Sequence, residues 1–240
     1  MTKPSPIHSA ITIVQARMGS TRLPGKMMED LSGYPLIWHI LQRAKQVNAD
    51  GPVILATTNL PRDDVLAKEA ASLQIPFVRG DENDVMGRFL LALEQFPARW
   101  VARVCGDSPL FDPEFLNHCL AAAAKTQADV VKFRDDRPTL FQGCEVVSAH
   151  ALHFSRHQAP HDPWSFEHVT AWAMRNSEQW PDDLKTTLID PDPQMVRDIK
   201  LSVDTPEEMA RLRRLYDDLF DGENIVSLRK AAAWLAEVGW

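Results

Sequence analysis

Cysteine is scarce in this sequence, and its spacing excludes two classes of small stabilised protein. The 240 residues include three cysteines, Cys105, Cys119 and Cys144, and no two of them form a CxxC motif. An odd number of widely spaced cysteines argues against a disulfide framework and against a structural zinc site. It favours a reducing compartment, so we expect a cytoplasmic protein.

Long apolar runs and an excess of positive charge are also missing. No stretch approaches the roughly 18 apolar residues of a membrane span, and Met1 to Ser9 lacks a signal-peptide core. The 26 Lys and Arg residues are outnumbered by 33 Asp and Glu, which gives a net charge of −7. Proteins that bind nucleic acid nonspecifically are usually basic. We therefore expect a soluble protein with neither a membrane nor a nucleic acid as its partner.

What the sequence does contain is a regular alternation of apolar strands and amphipathic helices. This order predicts an α/β fold with three α/β/α layers and a mostly parallel central sheet, and 1–240 is predicted to be one domain. Regularity weakens after Phe133, so 134–176 is a possible lid or dimerisation insertion. Strands are expected over 11–16, 52–57, 76–78, 100–105, 128–133, 185–189 and 200–203, and helices over 35–47, 63–73, 85–96, 113–126, 165–176, 207–220 and 227–238.

The loop after the first strand carries most of the candidate chemistry. It runs from Arg17 to Lys26 and reads RMGSTRLPGK. Its three cations, its hydroxyls and the backbone N–H groups of a glycine-containing loop are suited to holding a triphosphate. The loop is neither a Walker motif nor a GxGxxG motif, which counts against ATPases and Rossmann dehydrogenases. A solvated basic loop is the alternative.

This loop also carries a family resemblance. VQARMGSTRLPGK, Val14 to Lys26, resembles the N-terminal signature of the acylneuraminate and 3-deoxy-manno-octulosonate cytidylyltransferases, especially the branch of spore coat polysaccharide biosynthesis protein F. Further matches follow in order: ATT at 56–58, RGDENDV at 79–85, GDSPL at 106–110, EHVT at 167–170 and VDTPE at 203–207. The resemblance implies a nucleotidyltransferase fold of the nucleotide-diphospho-sugar transferase type. It also implies a homodimer that transfers CMP from CTP to an acidic nonulosonate- or octulosonate-type sugar, with release of pyrophosphate, in surface glycan biosynthesis.

The resemblance assigns roles to individual residues. It makes Lys26, Arg17 and Asp107 catalytic, and it places Mg²⁺ on Asp107 and Asp204, each of which follows a predicted strand. Without it, a turn-stabilising role for Asp107 and a helix cap for Asp204 are the simpler interpretations. The residues it assigns to CTP are Arg17, Ser20, Arg22, Lys26, Ala56, Thr57, Thr58 and Arg79.

The acceptor side is less defined. Glu145, Glu167 and His168 match acceptor positions of the family, but FQGCE at 141–145 departs from the commoner GxDxE pattern. A small acidic sugar is therefore expected, with a phosphonate or another nonsugar acceptor as an alternative. The first turn of a helix is the structural explanation for the EHVT stretch.

Two further classes and two further motifs stay open at this point. A glycosyltransferase of the same fold would carry a central DxD where this chain has GDSP. A nonenzymatic nucleotide binder would retain CTP without releasing pyrophosphate, and the presence of Lys26, Asp107 and Asp204 argues against it. Asp84 and Arg88 match a DVxxR pattern but also have the spacing of an intrahelical ion pair. Imidazoles at helical spacing can form a metal site, but Pro160 interrupts the helix, so a polar surface is expected for His150, His153, His157 and His161.

Overall fold

A computed structural model of the chain describes residues 8–134, 144–159, 162–190, 193 and 201–238. Its strands are β1 (His8–Gln15), β2 (Asp30–Leu31), β3 (Tyr34–Pro35), β4 (Val53–Thr58), β5 (Phe77–Gly80), β6 (Ala98–Cys105), β7 (Val130–Phe133), β8 (Cys144–Ser148) and β9 (Thr186–Ile189). Its helices are α1 (Leu36–Ala44), α2 (Asp64–Ser72), α3 (Val85–Gln95), α4 (Pro113–Thr126), α5 (Ala149–Gln158), α6 (Pro163–Glu167), α7 (Ala171–Asn176), α8 (Pro206–Leu219) and α9 (Leu228–Glu237).

The described strands form a seven-stranded sheet in the order β5-β4-β1-β6-β8-β7-β9, and β2 pairs with β3 in a separate hairpin. β8 runs antiparallel to both of its neighbours, whereas the other pairs of the large sheet are parallel. β1 lies between β4 and β6, so its backbone is paired along both edges. This arrangement confirms the predicted mostly parallel α/β sheet.

Helices cover both faces of this sheet. Consecutive side chains of a strand point to opposite faces, and Ile13 and Val14 of β1 accordingly belong to two different apolar cores. Val14 shares its core with side chains of α1, α4, α8 and α9, and Ile13 shares its core with side chains of α3, α5 and α7. The predicted three layers are confirmed. Among the described helices, none combines the length and the apolar character that a membrane crossing requires.

The segment predicted to be irregular contributes a strand to the sheet. β8 and α5 both lie within 134–176, and β8 pairs with β6 from Trp100↔Ser148 to Val104↔Cys144. Val146 packs in one core and Val147 in the other, so β8 is buried on both faces. A lid or dimer role for the segment stays a prediction, since Phe141 and its neighbours in 135–143 lie outside the described residues.

Two other element predictions need correction. The helix expected over 165–176 is interrupted between α6 and α7, where Val169 and Thr170 turn inward and are almost fully buried. The strand expected over 200–203 is not formed by its described part, 201–203. There the Val203 amide donates to the Asp107 carbonyl at 2.7 Å, and Lys200 lies outside the described residues.

Candidate active site

A cleft of about 360 Å³ opens where β1 and β6 end. The carboxyl ends of adjacent parallel strands meet at one edge of a sheet, which is where α/β proteins bind ligands. The cleft brings together eight of the predicted site residues: Arg17, Ser20, Arg22, Lys26, Asp107, Glu167, His168 and Asp204.

The loop from Arg17 to Lys26 closes on itself at the mouth of this cleft. The Met18 carbonyl accepts the amides of Ser20 at 2.9 Å and Gly25 at 3.2 Å. Gly25 has φ of +79°, a conformation that glycine adopts without steric cost. A short 3-10 turn follows from Lys26 to Met28, and it directs the Lys26 side chain inward, where the residue is only 7% exposed.

Lys26 connects the two carboxylates that the sequence assigned to a metal. Its Nζ donates to Asp204 Oδ1 at 3.0 Å and to the Val203 carbonyl at 2.5 Å, and it lies 3.7 Å from Asp107 Oδ2. Arg22 Nη2 lies 2.9 Å from Asp204 Oδ2. Residues separated by more than 170 positions along the chain thus form one charge-compensated cluster.

Local backbone geometry holds Asp107 at this point. The preceding residue, Gly106, donates its amide to the Gln15 carbonyl at 2.8 Å. A Cβ on Gly106 would lie 2.6 Å from that carbonyl oxygen and 2.8 Å from the Cβ of Ala16. A side chain would therefore force the ends of β1 and β6 apart, and glycine keeps Asp107 against the loop.

Asp204 does not cap the helix that follows it. The N-cap of α8 is Thr205, whose hydroxyl accepts the Glu208 amide while Glu208 Oε2 accepts the Thr205 amide, a capping box. Glu208 Oε2 also accepts the Asp204 amide at 2.6 Å. The cap alternative for Asp204 is therefore wrong, and its carboxylate faces Lys26 and Arg22 instead.

The donor set fits a magnesium ion that arrives with a nucleotide. Mg²⁺ in proteins usually keeps several waters and takes one or two carboxylates together with substrate phosphates. Asp107 and Asp204 supply two carboxylates around one point, and the described residues contain no group of three or more His, Cys, Asp or Glu side chains that would form a complete cage. Mg²⁺ binding itself stays a prediction.

Two carboxylates that the sequence did not single out, Asp63 and Glu82, contact the loop at Arg17–Lys26. Asp63 is fully buried, accepts the Met18 amide at 2.6 Å and is also hydrogen bonded to the Thr58 hydroxyl. Glu82 forms an ion pair with Arg17 at 3.3 Å. Asp63 has the same sequence signal as Asp107, a carboxylate shortly after a strand, but sequence alone does not tell which of several acidic residues there turns inward.

Arg88 is a second feature that the sequence interpreted differently. It lines the cleft at 2% exposure, and its Nη1 donates to the carbonyls of Asp81 at 2.8 Å and Glu82 at 3.2 Å. Burial and the neighbouring positive charge of Arg17 lower the pKa of Arg88 to about 10.

The intrahelical ion pair between Asp84 and Arg88 is not formed. Asp84 instead accepts two hydrogen bonds of 2.8 Å from Arg156 of α5, and it also caps α3 by accepting the Gly87 amide. The guanidinium of Arg156 stacks 4.2 Å from the ring centre of Phe166 in α6. Arg156 therefore links the start of α3 to the segment that carries Glu167.

Four residues predicted to bind the nucleotide lie outside the lining of the cleft. Ala56, Thr57 and Thr58 are fully buried on β4. Arg79, on β5, donates to the Thr58 carbonyl at 2.8 Å and pairs with Asp64 at 2.7 Å. Their part in CTP binding stays a prediction.

The acceptor-side residues fall into two groups. Glu167 and His168 are exposed and line the cleft, with the His168 ring 5.1 Å from that of Trp164. Glu145 lies behind them, opposite Arg103 in the β6–β8 register and 2.5 Å from its Nη1. Burial would raise the pKa of Glu145, but the Arg103 guanidinium and the Thr170 hydroxyl outweigh it and hold that pKa below its usual range.

Cys105 also lines the cleft, next to Gly106 and Asp107. Burial raises the pKa of this thiol to about 12, so it stays protonated near neutral pH and is a poor nucleophile. The cleft therefore offers positive charge and carboxylates, an arrangement suited to binding and neutralising phosphates rather than to forming a covalent intermediate.

Comparison with known proteins agrees with this chemistry. The family model for cytidylyltransferase matches residues 11–230. The spore coat polysaccharide biosynthesis protein SpsF of Bacillus subtilis is 30% identical over 217 residues, which cover 88% of this chain and 87% of SpsF. A 3-deoxy-manno-octulosonate cytidylyltransferase of Rhizobium etli is 27% identical, with coverage of 88% and 96%. A solved cytidylyltransferase structure from Leptospira borgpetersenii gives a TM-score of 0.84 at 22% identity, with coverage of 96% and 95%, which shows a shared fold.

Proposed function

Because this chain belongs to the cytidylyltransferase family, we propose that it transfers CMP from CTP to an acidic sugar of the nonulosonate or octulosonate type, in surface glycan biosynthesis. Membership of the family makes the chain a CTP-using nucleotidyltransferase, in preference to a glycosyltransferase or a nonenzymatic binder. The names of two relatives support the acceptor class and the pathway, since one concerns spore coat polysaccharide and the other 3-deoxy-manno-octulosonate.

The observation that carries the proposal is the cluster around Lys26. Its ammonium lies between Asp107 and Asp204, with Arg17 and Arg22 on the same loop at the same cleft. A triphosphate needs cations along its length and oxygen ligands for the metal that accompanies it. This cluster offers both within a single cleft.

In the proposed reaction a hydroxyl oxygen of the acceptor attacks the α-phosphorus of CTP in line, and the bond to the β-phosphate breaks. The hydroxyl loses its proton and pyrophosphate leaves with the electron pair. When bound, Mg²⁺ held by Asp107 and Asp204 would neutralise phosphate charge. Lys26 and Arg17 would supply positive charge next to the phosphates, so this chain contributes mainly positioning and electrostatic stabilisation.

The nucleoside and the acceptor are assigned to different parts of the chain. We place cytosine and ribose near Ala56–Thr58 and Arg79, where backbone groups can read a pyrimidine. Glu167 and His168 lie where an acceptor would enter, on the side of the cleft formed by α6. The unusual FQGCE sequence at 141–145 keeps a phosphonate or another nonsugar acceptor as the second candidate.

The first test is thermal stabilisation of the purified protein by CTP, UTP, ATP and GTP, each with and without Mg²⁺. A ligand at 100 times its Kd adds about 2.7 kcal/mol to the stability of the native state. A Mg²⁺-dependent shift specific to CTP is expected. No shift with any nucleotide would contradict the assignment of the loop at Arg17–Lys26.

The second test is pyrophosphate release with CTP, Mg²⁺ and one acceptor at a time. The acceptors are 3-deoxy-manno-octulosonate, N-acetylneuraminate and 2-hydroxyethylphosphonate. Release with either sugar acid supports the proposed class, whereas release with the phosphonate alone would overturn it in favour of the second candidate.

We further propose that the protein is a cytoplasmic homodimer. Cys105, Cys119 and Cys144 are all free thiols, which suits a reducing compartment. The aromatic rings of Trp164 and Trp172, within the proposed dimer segment, are only partly buried and leave apolar surface for a second copy. Light scattering coupled to size-exclusion chromatography tests the dimer, and a 27.1 kDa species at micromolar concentration would contradict a dimer.

A further inference from the structure

Arg103 is a charged residue in the middle of a buried strand. It lies in β6 at 6% exposure, between two strands of the central sheet. A buried guanidinium is costly unless it is paired and hydrogen bonded. Arg103 meets this requirement by donating to Gln15 Oε1 at 3.0 Å and to Glu145 Oε2 at 2.5 Å.

The contacts of Glu145 extend from Arg103 to the break between α6 and α7. Its Oε2 also accepts a hydrogen bond from Thr170 Oγ1 at 2.5 Å. Thr170 is 1% exposed and occupies the N-cap position of α7, yet its hydroxyl caps nothing in that helix. The Thr170 hydroxyl therefore bonds to β8 of the sheet through Glu145 and not to its own helix. This bond lies at the point where α6 and α7 separate.

One end of this polar chain lines the cleft, and the other end lies close to it in sequence. Gln15, at one end, is the last residue of β1 and lines the cleft directly. At the other end, Thr170 lies two residues after His168, and the fully buried Val169 between them anchors the turn in the core. The side chains of Glu167 and His168 are exposed, and the turn at 168–170 sets where their backbone lies.

We propose that Arg103, Glu145 and Thr170 form a positioning strut that holds the turn at 168–170 against the sheet and thereby orients Glu167 and His168 toward the acceptor. This inference deepens the proposed function and rests on its assignment of the acceptor side to α6. In this strut, Glu145 acts through Thr170 and does not itself contact the acceptor. The strut sets the geometry of the acceptor side, and the loop at Arg17–Lys26 binds CTP without it.

The most direct test is Thr170→Val, which removes the hydroxyl and keeps the shape of the side chain. Hydrogen–deuterium exchange is measured on the segment 164–171, whose amides include His168 bonded to Trp164 and Ala171 bonded to His168. Exchange of this segment is expected to accelerate about tenfold, since the bond that the hydroxyl donates to Glu145 is lost together with the longer one, 3.4 Å, that it accepts from Arg103 Nη1. Thr170→Ser restores the hydroxyl and is expected to restore slow exchange.

Thr126→Val is the matched control. Its hydroxyl donates to the Ala122 carbonyl at 2.8 Å at the end of α4, remote from the cleft. This variant should leave exchange of 164–171 unchanged. Unchanged exchange in Thr170→Val as well would overturn the strut.

Glu145→Gln provides a second variant. The amide oxygen of the new side chain can still accept the bond from Thr170, but it carries no charge to pair with Arg103. Exchange of 164–171 is therefore expected to accelerate less than in Thr170→Val.

The kinetic readout separates positioning from general damage. With 3-deoxy-manno-octulosonate as the acceptor, Thr170→Val should raise the acceptor KM about tenfold while the Kd for CTP with Mg²⁺ changes less than about twofold. Equal losses for CTP and acceptor would contradict the proposal. If the wild type releases pyrophosphate only with N-acetylneuraminate, that sugar replaces 3-deoxy-manno-octulosonate in the KM measurement. If it releases pyrophosphate with neither sugar acid, the proposed acceptor class has failed, and the exchange measurement alone decides whether the strut exists.

Discussion

The two halves of the cleft differ in how their residues are held. On the nucleotide side, Lys26 and Arg22 contact Asp204 directly, and Lys26 is almost fully buried. On the acceptor side, Glu167 and His168 are exposed, and the polar contacts that determine their position lie behind them. The nucleotide side is organised by charges that face the cleft. The acceptor side is organised by the strut of Arg103, Glu145 and Thr170, which lies behind the cleft.

This difference leads to different consequences of mutation. Substitutions on the nucleotide side should act on charge and therefore on the chemical step. Substitutions on the acceptor side should act on geometry and therefore on acceptor affinity and local motion.

Asp107→Asn should reduce kcat by about 10²- to 10³-fold, because an amide oxygen is a weaker ligand for a hard cation than a carboxylate. Pyrophosphate release and the circular dichroism spectrum are measured together, and the spectrum should not change. Asp221→Asn, at an exposed turn after α8, is the control and should retain full activity. More than about a tenth of wild-type activity in Asp107→Asn would remove the metal assignment.

Lys26→Met should lower kcat about 10²-fold, and it should also strengthen divalent-cation binding in the absence of nucleotide. Lys26 competes for the carboxylates of Asp107 and Asp204, so its removal leaves them available to Mn²⁺. Electron paramagnetic resonance of Mn²⁺ should show affinity increased about tenfold. Unchanged Mn²⁺ affinity would mean that the ammonium does not occupy the cation position.

Asp63→Ala tests whether the nucleotide side also depends on a scaffold. The variant loses the buried acceptor of the Met18 amide and of the Thr58 hydroxyl, so the free energy of unfolding should fall by about 3 kcal/mol. CTP affinity should fall as well, because the loop is no longer anchored. Urea denaturation and calorimetry measure both. Glu94→Ala, an exposed carboxylate of α3, is the control, and a loss of stability with unchanged CTP affinity would restore a strict division between the halves.

Arg156→Met should have the smallest effect. Its two hydrogen bonds to Asp84 are partly exposed to solvent, so screening limits the loss to about 1 kcal/mol of unfolding free energy, or about 2–4 °C in Tm. Acceptor KM should rise more than CTP Kd, since Arg156 also packs on Phe166. Arg134→Met, which breaks a more exposed pair with Asp190, should change Tm less. Equal decreases in Tm in the two variants would show that the contacts of Arg156 with Asp84 and Phe166 add no more stability than an exposed ion pair.

Much of the nucleotide side was predictable because it is local in sequence. The loop at Arg17–Lys26 is continuous, and the carboxylates of Asp107 and Asp204 each follow an expected strand position. The rule that parallel strands end at one edge of a sheet places Asp107 there, whereas Asp204 is held beside it by the bond from the Val203 amide to the Asp107 carbonyl and not by a strand. What the sequence could not indicate is that Lys26 pairs with both carboxylates, since that depends on a contact across most of the chain.

The acceptor side was less predictable for a physical reason. Glu145 lies on β8, a short strand whose antiparallel pairing with β6 depends on tertiary contacts, and the surrounding sequence favoured an irregular segment. The break before α7 coincides with the burial of Val169 and the bond from Thr170 to Glu145, tertiary contacts that the helical pattern of 165–176 does not contain. One signal was present: Arg103 interrupts the apolar run from Trp100 to Cys105, and a charge at such a position requires a buried partner.

The pairing of Lys26 and Arg22 with Asp204 also bears on how the affinity for CTP varies with ionic strength. If Lys26 and Arg22 bind the phosphates of CTP as proposed, ion pairs within the protein are replaced by ion pairs with phosphate, so binding exchanges counterions more than it adds them. Dissolved salt screens the broken pairs and the new pairs alike. The Kd for CTP should therefore vary less steeply with salt concentration than it would for a loop of three unpaired cations. We therefore expect the enzyme to keep most of its nucleotide affinity when the ionic strength around it changes.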